Sequence, residues 1–132
     1  MANAKYDFGR ESFANGDVDW LVDTIRVALL SSAYTFDQTD QFFSELSGVV
    51  GTPATLAGKT TTGGACDADD VLFTGLTGST VVACVVYKWT GVAGTSVLLK
   101  YFDTGAGLPF VPDGVKPFRI IWSDGTAKIM KV

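Results

Sequence analysis

The sequence predicts a mainly β fold: a compact antiparallel β-sandwich or barrel of about six to eight short strands, with one or two short helices near the N-terminal half. Three observations predict it. Fifteen glycines and many Thr and Val residues favour short strands joined by tight turns. From residue 71 onward, apolar residues recur with the period of two that belongs to strands. Finally, Asp124-Gly125 separates two apolar runs, a hairpin signal because both central residues of such a turn need positive φ. The 132 residues are 47% hydrophobic and 18% charged, which suits one domain with a core that needs no metal or disulfide. Residues 1–132 therefore read as a single domain, with 1–22 as an N-terminal helix or arm and 23–132 as the β-domain.

Residues 3–15 read as a short helix. Asn3 is its candidate N-cap, Tyr6, Arg10 and Phe13 recur at helical spacing, and Asn15-Gly16 supplies the stop. Gly9 counts against that helix by about 1 kcal/mol relative to alanine. After a crossing at 17–20, residues 24–30 form a strand with Ile25, Val27 and Leu29 on one face and Thr24, Arg26 and Ala28 on the other. Trp20 reads as a lid over one end of the core rather than a ligand platform. Residues 39–47 read as a second short helix, capped by Thr39, with Phe42, Phe43 and Leu46 on its apolar side. The Gly/Thr-rich stretch 48–65 reads as a loop with one short strand near 55–61, a segment suited to ordering on a partner.

A short strand at 71–74 and a turn at 75–79 lead into the strongest strand, residues 80–89. Val81, Ala83, Val85, Tyr87 and Trp89 share one face, and Val82, Cys84 and Val86 share the other. Apolar residues on both faces predict a central strand covered on both sides. Another strand follows at 96–102. Residues 103–117 carry three of the four prolines and read as an extended surface loop, since proline donates no ladder bond. Strands at 118–122 and 127–132, joined by the 123–126 turn, close the chain as a hairpin.

The chemistry is as informative for what it lacks. There is no histidine, which removes Ser-His-Asp triads, Cys-His dyads and imidazole zinc sites. Net charge is −4 and the ten basic residues are scattered singly, so the basic stripe of a nucleic-acid binder is missing. No run reaches the roughly 18 apolar residues that span a bilayer, and the N-terminus lacks a signal peptide's apolar core. Synthesis in a cytoplasm is expected, with Cys66 and Cys84 reduced as buried small hydrophobes. A bridge between them stays open if neighbouring strands place them opposite each other. The AGKT run at 57–60 has only the tail of a phosphate-binding loop.

Two acidic sets, Asp67/Asp69/Asp70 and Asp17/Asp19/Asp23, could hold Ca²⁺ through alternate carboxylates. They lack the glycine and closing glutamate of an EF-hand, so solvated turns that bond local amides are the favoured reading. No catalytic residue, metal or cofactor is expected. Few charges on the strands, beside Gly/Thr-rich loops, point instead to an assembly interface.

Several runs carry a resemblance that spans Phe13 to Ile129. FANGDVDW, DTIRVALL, LAGKT, ADDVLFT and IIWSDGTAKI resemble small virion structural proteins of tailed bacteriophages. The resemblance implies a non-enzymatic role, foremost as a capsid decoration (cement) protein on the outer head surface, assembled in the host cytoplasm. Its implied partners are the major capsid protein and other copies of itself, a trimer being one open arrangement, with no nucleic acid and no membrane. Segments 1–22, 48–65 and 103–117 would make the contacts, with Tyr6, Phe8, Trp20 and Phe110 as aromatic anchors. A tail, fibre or adaptor component is the alternative. In its glycan-binding form, Trp20, Trp89 and Trp122 would be exposed and coplanar.

Overall fold

A computed structural model describes residues 3–104, 108–122 and 128–131. Its elements run β1 (Ala4–Lys5), α1 (Asp7–Ala14), β2 (Ile25–Leu30), β3 (Val49–Thr55), β4 (Ala65–Cys66), β5 (Val71–Phe73), β6 (Ala83–Lys88), β7 (Leu98–Phe102), β8 (Phe118–Ile120) and β9 (Met130–Lys131). Five strands form an antiparallel sheet in the order β1-β7-β6-β2-β3, and two ribbons pair β4 with β9 and β5 with β8. The expected mainly β, antiparallel, sandwich-like architecture is what the chain adopts, with one α-helix among the described residues.

The sheet is buried on both faces, as the 80–89 pattern predicts. Ile25, Val27 and Leu29 of β2 and Cys84 and Val86 of β6 pack toward the ribbons. There they meet Val71, Phe73, Phe118, Ile120 and Met130. Ala28 and Leu30, with Ala83, Val85 and Tyr87, face the other way. An irregular aromatic layer of Tyr6, Tyr34, Phe36 and Phe43 covers them. Val81 departs from the expected alternation: it lies ahead of β6, bridges Phe110 and joins the ribbon-side core. A register shift between β6 and β7 inserts Leu99 as an extra residue between the Tyr87–Leu98 and Val86–Lys100 pairs.

Both edges of the sheet are short or interrupted. At one edge, β1 pairs with β7 through Ala4–Tyr101 and Lys5–Lys100, and Tyr6 N–H then donates to Leu99 O. Where β1 stops, α1 takes over and covers the rest of β7. The helix sits so close that a Cβ on Gly9 would stand 2.4 Å from the Leu98 carbonyl oxygen. Gly9, a helix weakness by propensity, is therefore the residue that lets helix and strand touch. At the other edge, Gly51, Thr52 and Pro53 bulge out opposite Ala28, with Gly51 at φ +70° and Pro53 offering no N–H.

Four local expectations need correction. The helix begins at Asp7 with Tyr6 in the cap position, while the Asn3 carboxamide oxygen accepts from the Asp103 and Thr104 amides at 3.0 and 3.1 Å. The stop at Asn15-Gly16 is where it was expected, with Gly16 at φ +79°. Residues 39–47 form only a 3₁₀ turn, Phe43–Glu45. Their backbone pairs instead with residues 96–98: Phe43 N–H donates to Ser96 O, and Leu98 N–H donates to Gln41 O. Glu45 carboxylate meanwhile accepts from the Gln41 and Phe42 amides at 2.5 and 2.7 Å.

The strand expected at 55–61 lies earlier, as β3, because Val49, Val50 and Ala54 find backbone partners on β2. The closing hairpin is the largest departure. Its two arms pair with different strands, Phe118–Ile120 with β5 and Met130–Lys131 with β4, while the 123–126 turn lies outside the described residues. Phe118 stacks on Phe73, across the β5–β8 pair, at 6.4 Å between centroids.

Candidate docking surface

The four expected aromatic anchors divide into two kinds. Tyr6 is fully buried, its hydroxyl 3.0 Å from that of Tyr34, which in turn donates to Asp40 at 2.7 Å. Burial first, then the bond to Tyr34, pushes the Tyr6 phenol far above its ordinary pKa. Trp20 is also core, with its indole N–H donating to the Asp67 carbonyl at 3.0 Å. Neither presents a surface to a partner, because each ring is needed to fill the interior. Phe110 is half-buried, stacked on Phe118 with centroids 4.9 Å apart, and Lys116 lies over its other side at 6.0 Å. Phe8 alone keeps an outward ring, at 36% exposure on α1.

The indoles also bear on glycan stacking. Trp122 is buried and donates its indole N–H to Asp69 O at 3.0 Å, parallel in role to Trp20. Trp89 is half-buried beneath the Arg26 guanidinium, 4.9 Å from the ring centroid. An exposed coplanar set of three indoles is therefore not what the fold presents.

The most exposed apolar groups lie elsewhere, on loops. Leu21 and Val22 are 53% and 79% exposed, and Val111, Val115 and Ile121 are 63%, 83% and 68% exposed. Carboxylates fix two of these sites from beneath. Asp19 accepts from the Leu21 and Val22 amides at 3.1 and 3.3 Å, and Asp23 accepts from the Asp19 amide at 2.7 Å. Lys88 clamps the same turn, bonding Asp17 O at 2.7 Å and pairing with the Asp23 carboxylate at 3.3 Å. Lys59 bonds Asp23 O. Likewise, Asp113 accepts from the Val115 and Lys116 amides at 2.9 and 2.7 Å, which holds its carboxyl below the usual range.

The result is a pair of backbone-locked turns that hold aliphatic side chains in water. Rigid apolar groups of this kind lose little conformational entropy on docking. Sequence reasoning missed them because it sought aromatics. The signal was present in D-W-L-V-D and D-G-V-K, where apolar residues sit two or three positions after an aspartate able to close an Asx turn.

Asp19, Asp23 and Asp113 are thus turn builders, whereas in the 67–70 set Asp70 bonds across the fold rather than within a turn. Asp70 accepts from the Trp122 amide at 3.1 Å, and among the described residues no group of three or more Cys, Asp or Glu side chains could hold a metal ion. Both cysteines are free thiols. Burial pushes Cys66 up to about 11 and Cys84 up to about 12, so neither carries a nucleophilic thiolate near neutrality. Among the described residues, no helix is long and apolar enough to cross a membrane. No protein family matches the chain, and no curated protein shows significant similarity to it.

Proposed function

We propose that this chain is a non-enzymatic virion protein of a tailed phage that binds the outer surface of the head and reinforces it, as a decoration protein does. The observation that carries the reading is the presentation of Leu21, Val22 and Val115 on carboxylate-locked turns. These turns fall within segments 1–22 and 103–117, the same segments that the resemblance assigns to contact. A protein that acts by fitting neighbouring subunits needs rigid apolar contacts on its loops and a core that does not yield, and this chain has both.

The net charge of −4 favours the outside of a DNA-filled shell, where packaged phosphates repel it least. Its partner is the major capsid protein, with further copies of itself at the same symmetry axis. A ligand that binds only the assembled shell stabilises that shell by mass action. The test is to compare heads with the protein present and removed. Protein that stays with DNA-filled heads after the tails are sheared off, and heads that resist heat and osmotic shock less well without it, support the reading. Departure with the tails, or unchanged resistance, overturns it.

A further inference from the structure

A cavity of about 240 Å³ opens between β7, β8 and the chain at Leu108. Its walls are mixed: Phe102, Leu108, Phe118, Ile120 and Trp122 form the apolar part, and Asn3 and Thr104 add polar groups. Two basic residues, Lys100 and Lys128, are also part of its lining. Lys100 is half-buried, and its ammonium donates one bond to Ile129 O at 2.8 Å and lies 4.9 Å from the Phe102 ring centroid. Among the described residues no carboxylate pairs with it. Lys88 is also half-buried, but it has Asp23 as its counter-ion. An ammonium in a cleft walled in part by apolar rings, with donors beyond the one it uses and no carboxylate partner among the described residues, is matched by an anion that carries its own apolar body.

We propose that this cavity binds a small organic carboxylate with a compact apolar body. The carboxylate meets Lys100 and Lys128, and the body lies against Phe102, Leu108 and Ile120. A cavity of this volume has room for a molecule the size of an aryl-acetate. Burial together with the charge of Lys5 disfavours the protonated Lys100 in the empty cavity, and a bound carboxylate would restore it. In a protein of net charge −4, this local pair of cations selects against the overall field. The inference stands independently of any docking role.

The test titrates ¹⁵N-labelled protein with phenylacetate, its neutral analogue phenylacetamide, and acetate, following the three indole N–H signals. Phenylacetate is expected to move the Trp122 signal and leave that of Trp20 in place. It should bind about tenfold or more tightly than phenylacetamide, and acetate should bind more weakly than phenylacetate. Lys100→Met should bring phenylacetate down to the affinity of the amide, and Lys128→Met should weaken it in part. Equal binding of carboxylate and amide by the wild-type protein overturns the proposal without recourse to any variant. So does a response confined to Trp20 or Trp89, or no response to any of the three probes.

Discussion

Gly9 stands against the backbone of Leu98, with room for a hydrogen where any other residue would place a carbon 2.4 Å from the Leu98 carbonyl oxygen. Leu99 Cα would be 2.9 Å from the same carbon. Both obstacles are backbone, so neither can swing aside. Gly9→Ala should therefore destabilise the fold by about 1–3 kcal/mol, against the gain of about 1 kcal/mol that alanine brings to a helix interior. Urea denaturation checks this, and a variant as stable as the parent would show that α1 and β7 are not in contact.

Trp20 and Trp122 tie down the 67–70 segment through carbonyls two residues apart, Asp67 and Asp69. Trp20→Phe removes one of the two donors to the Asp67 carbonyl, the Thr60 amide remaining, and leaves a smaller ring in the core, at a cost of about 2 kcal/mol. Trp122→Phe should behave alike. A loss under about 0.5 kcal/mol for either, in the range of neutral surface changes, would remove the indole bonds from the account.

Leu21, Val22 and Val115 should be dispensable for folding and needed for docking. Each changed to Ser is expected to shift stability by no more than about 0.5 kcal/mol. The triple change should reduce retention on purified heads strongly. Full retention by the triple variant, with its fold intact by circular dichroism, would place the contact surface elsewhere.

Alkaline pH should unfold the protein through its phenols and thiols. All four tyrosines are raised, chiefly by burial, Tyr87 to about 12, and the two cysteines are raised as well. A raised acid holds its proton more tightly in the folded chain. Its stabilising contribution is complete below the unfolded pKa, near 8.5 for Cys and 10 for Tyr, and is lost as pH climbs through the folded value. Tyrosinate absorbance should therefore rise together with the loss of near-ultraviolet dichroism. Phenols that titrate near 10 in a still-folded protein would contradict the burial.

What the sequence made legible was periodicity. Strands β2 and β6 declare their faces through alternation, and the covered centre of the sheet follows from apolar residues on both faces of residues 80–89. What it hid was partner choice. The Asp124-Gly125 signal is local, whereas Phe118 and Met130 take strands some 45 to 65 positions upstream, as the Phe118–Phe73 and Met130–Cys66 pairs show. The helix signal at 39–47 failed in the same way, because residues 96–98 offered its backbone a better set of donors and acceptors. Gly9 was misjudged because helix propensity takes no account of an approaching strand. For surface exposure, aromatic character was a poor guide, since Tyr6 and Trp20 are large enough to be needed inside.

The capped sheet edges bear on crowding. With α1 lying along the part of β7 that the two-residue β1 leaves open, and the Gly51–Pro53 bulge on β3, both flanks are poor templates for pairing with an identical flank of another molecule. Copies packed shoulder to shoulder at very high local density would thus gain little from joining the main sheet edge to edge, so contacts through side chains are favoured there over fibril growth.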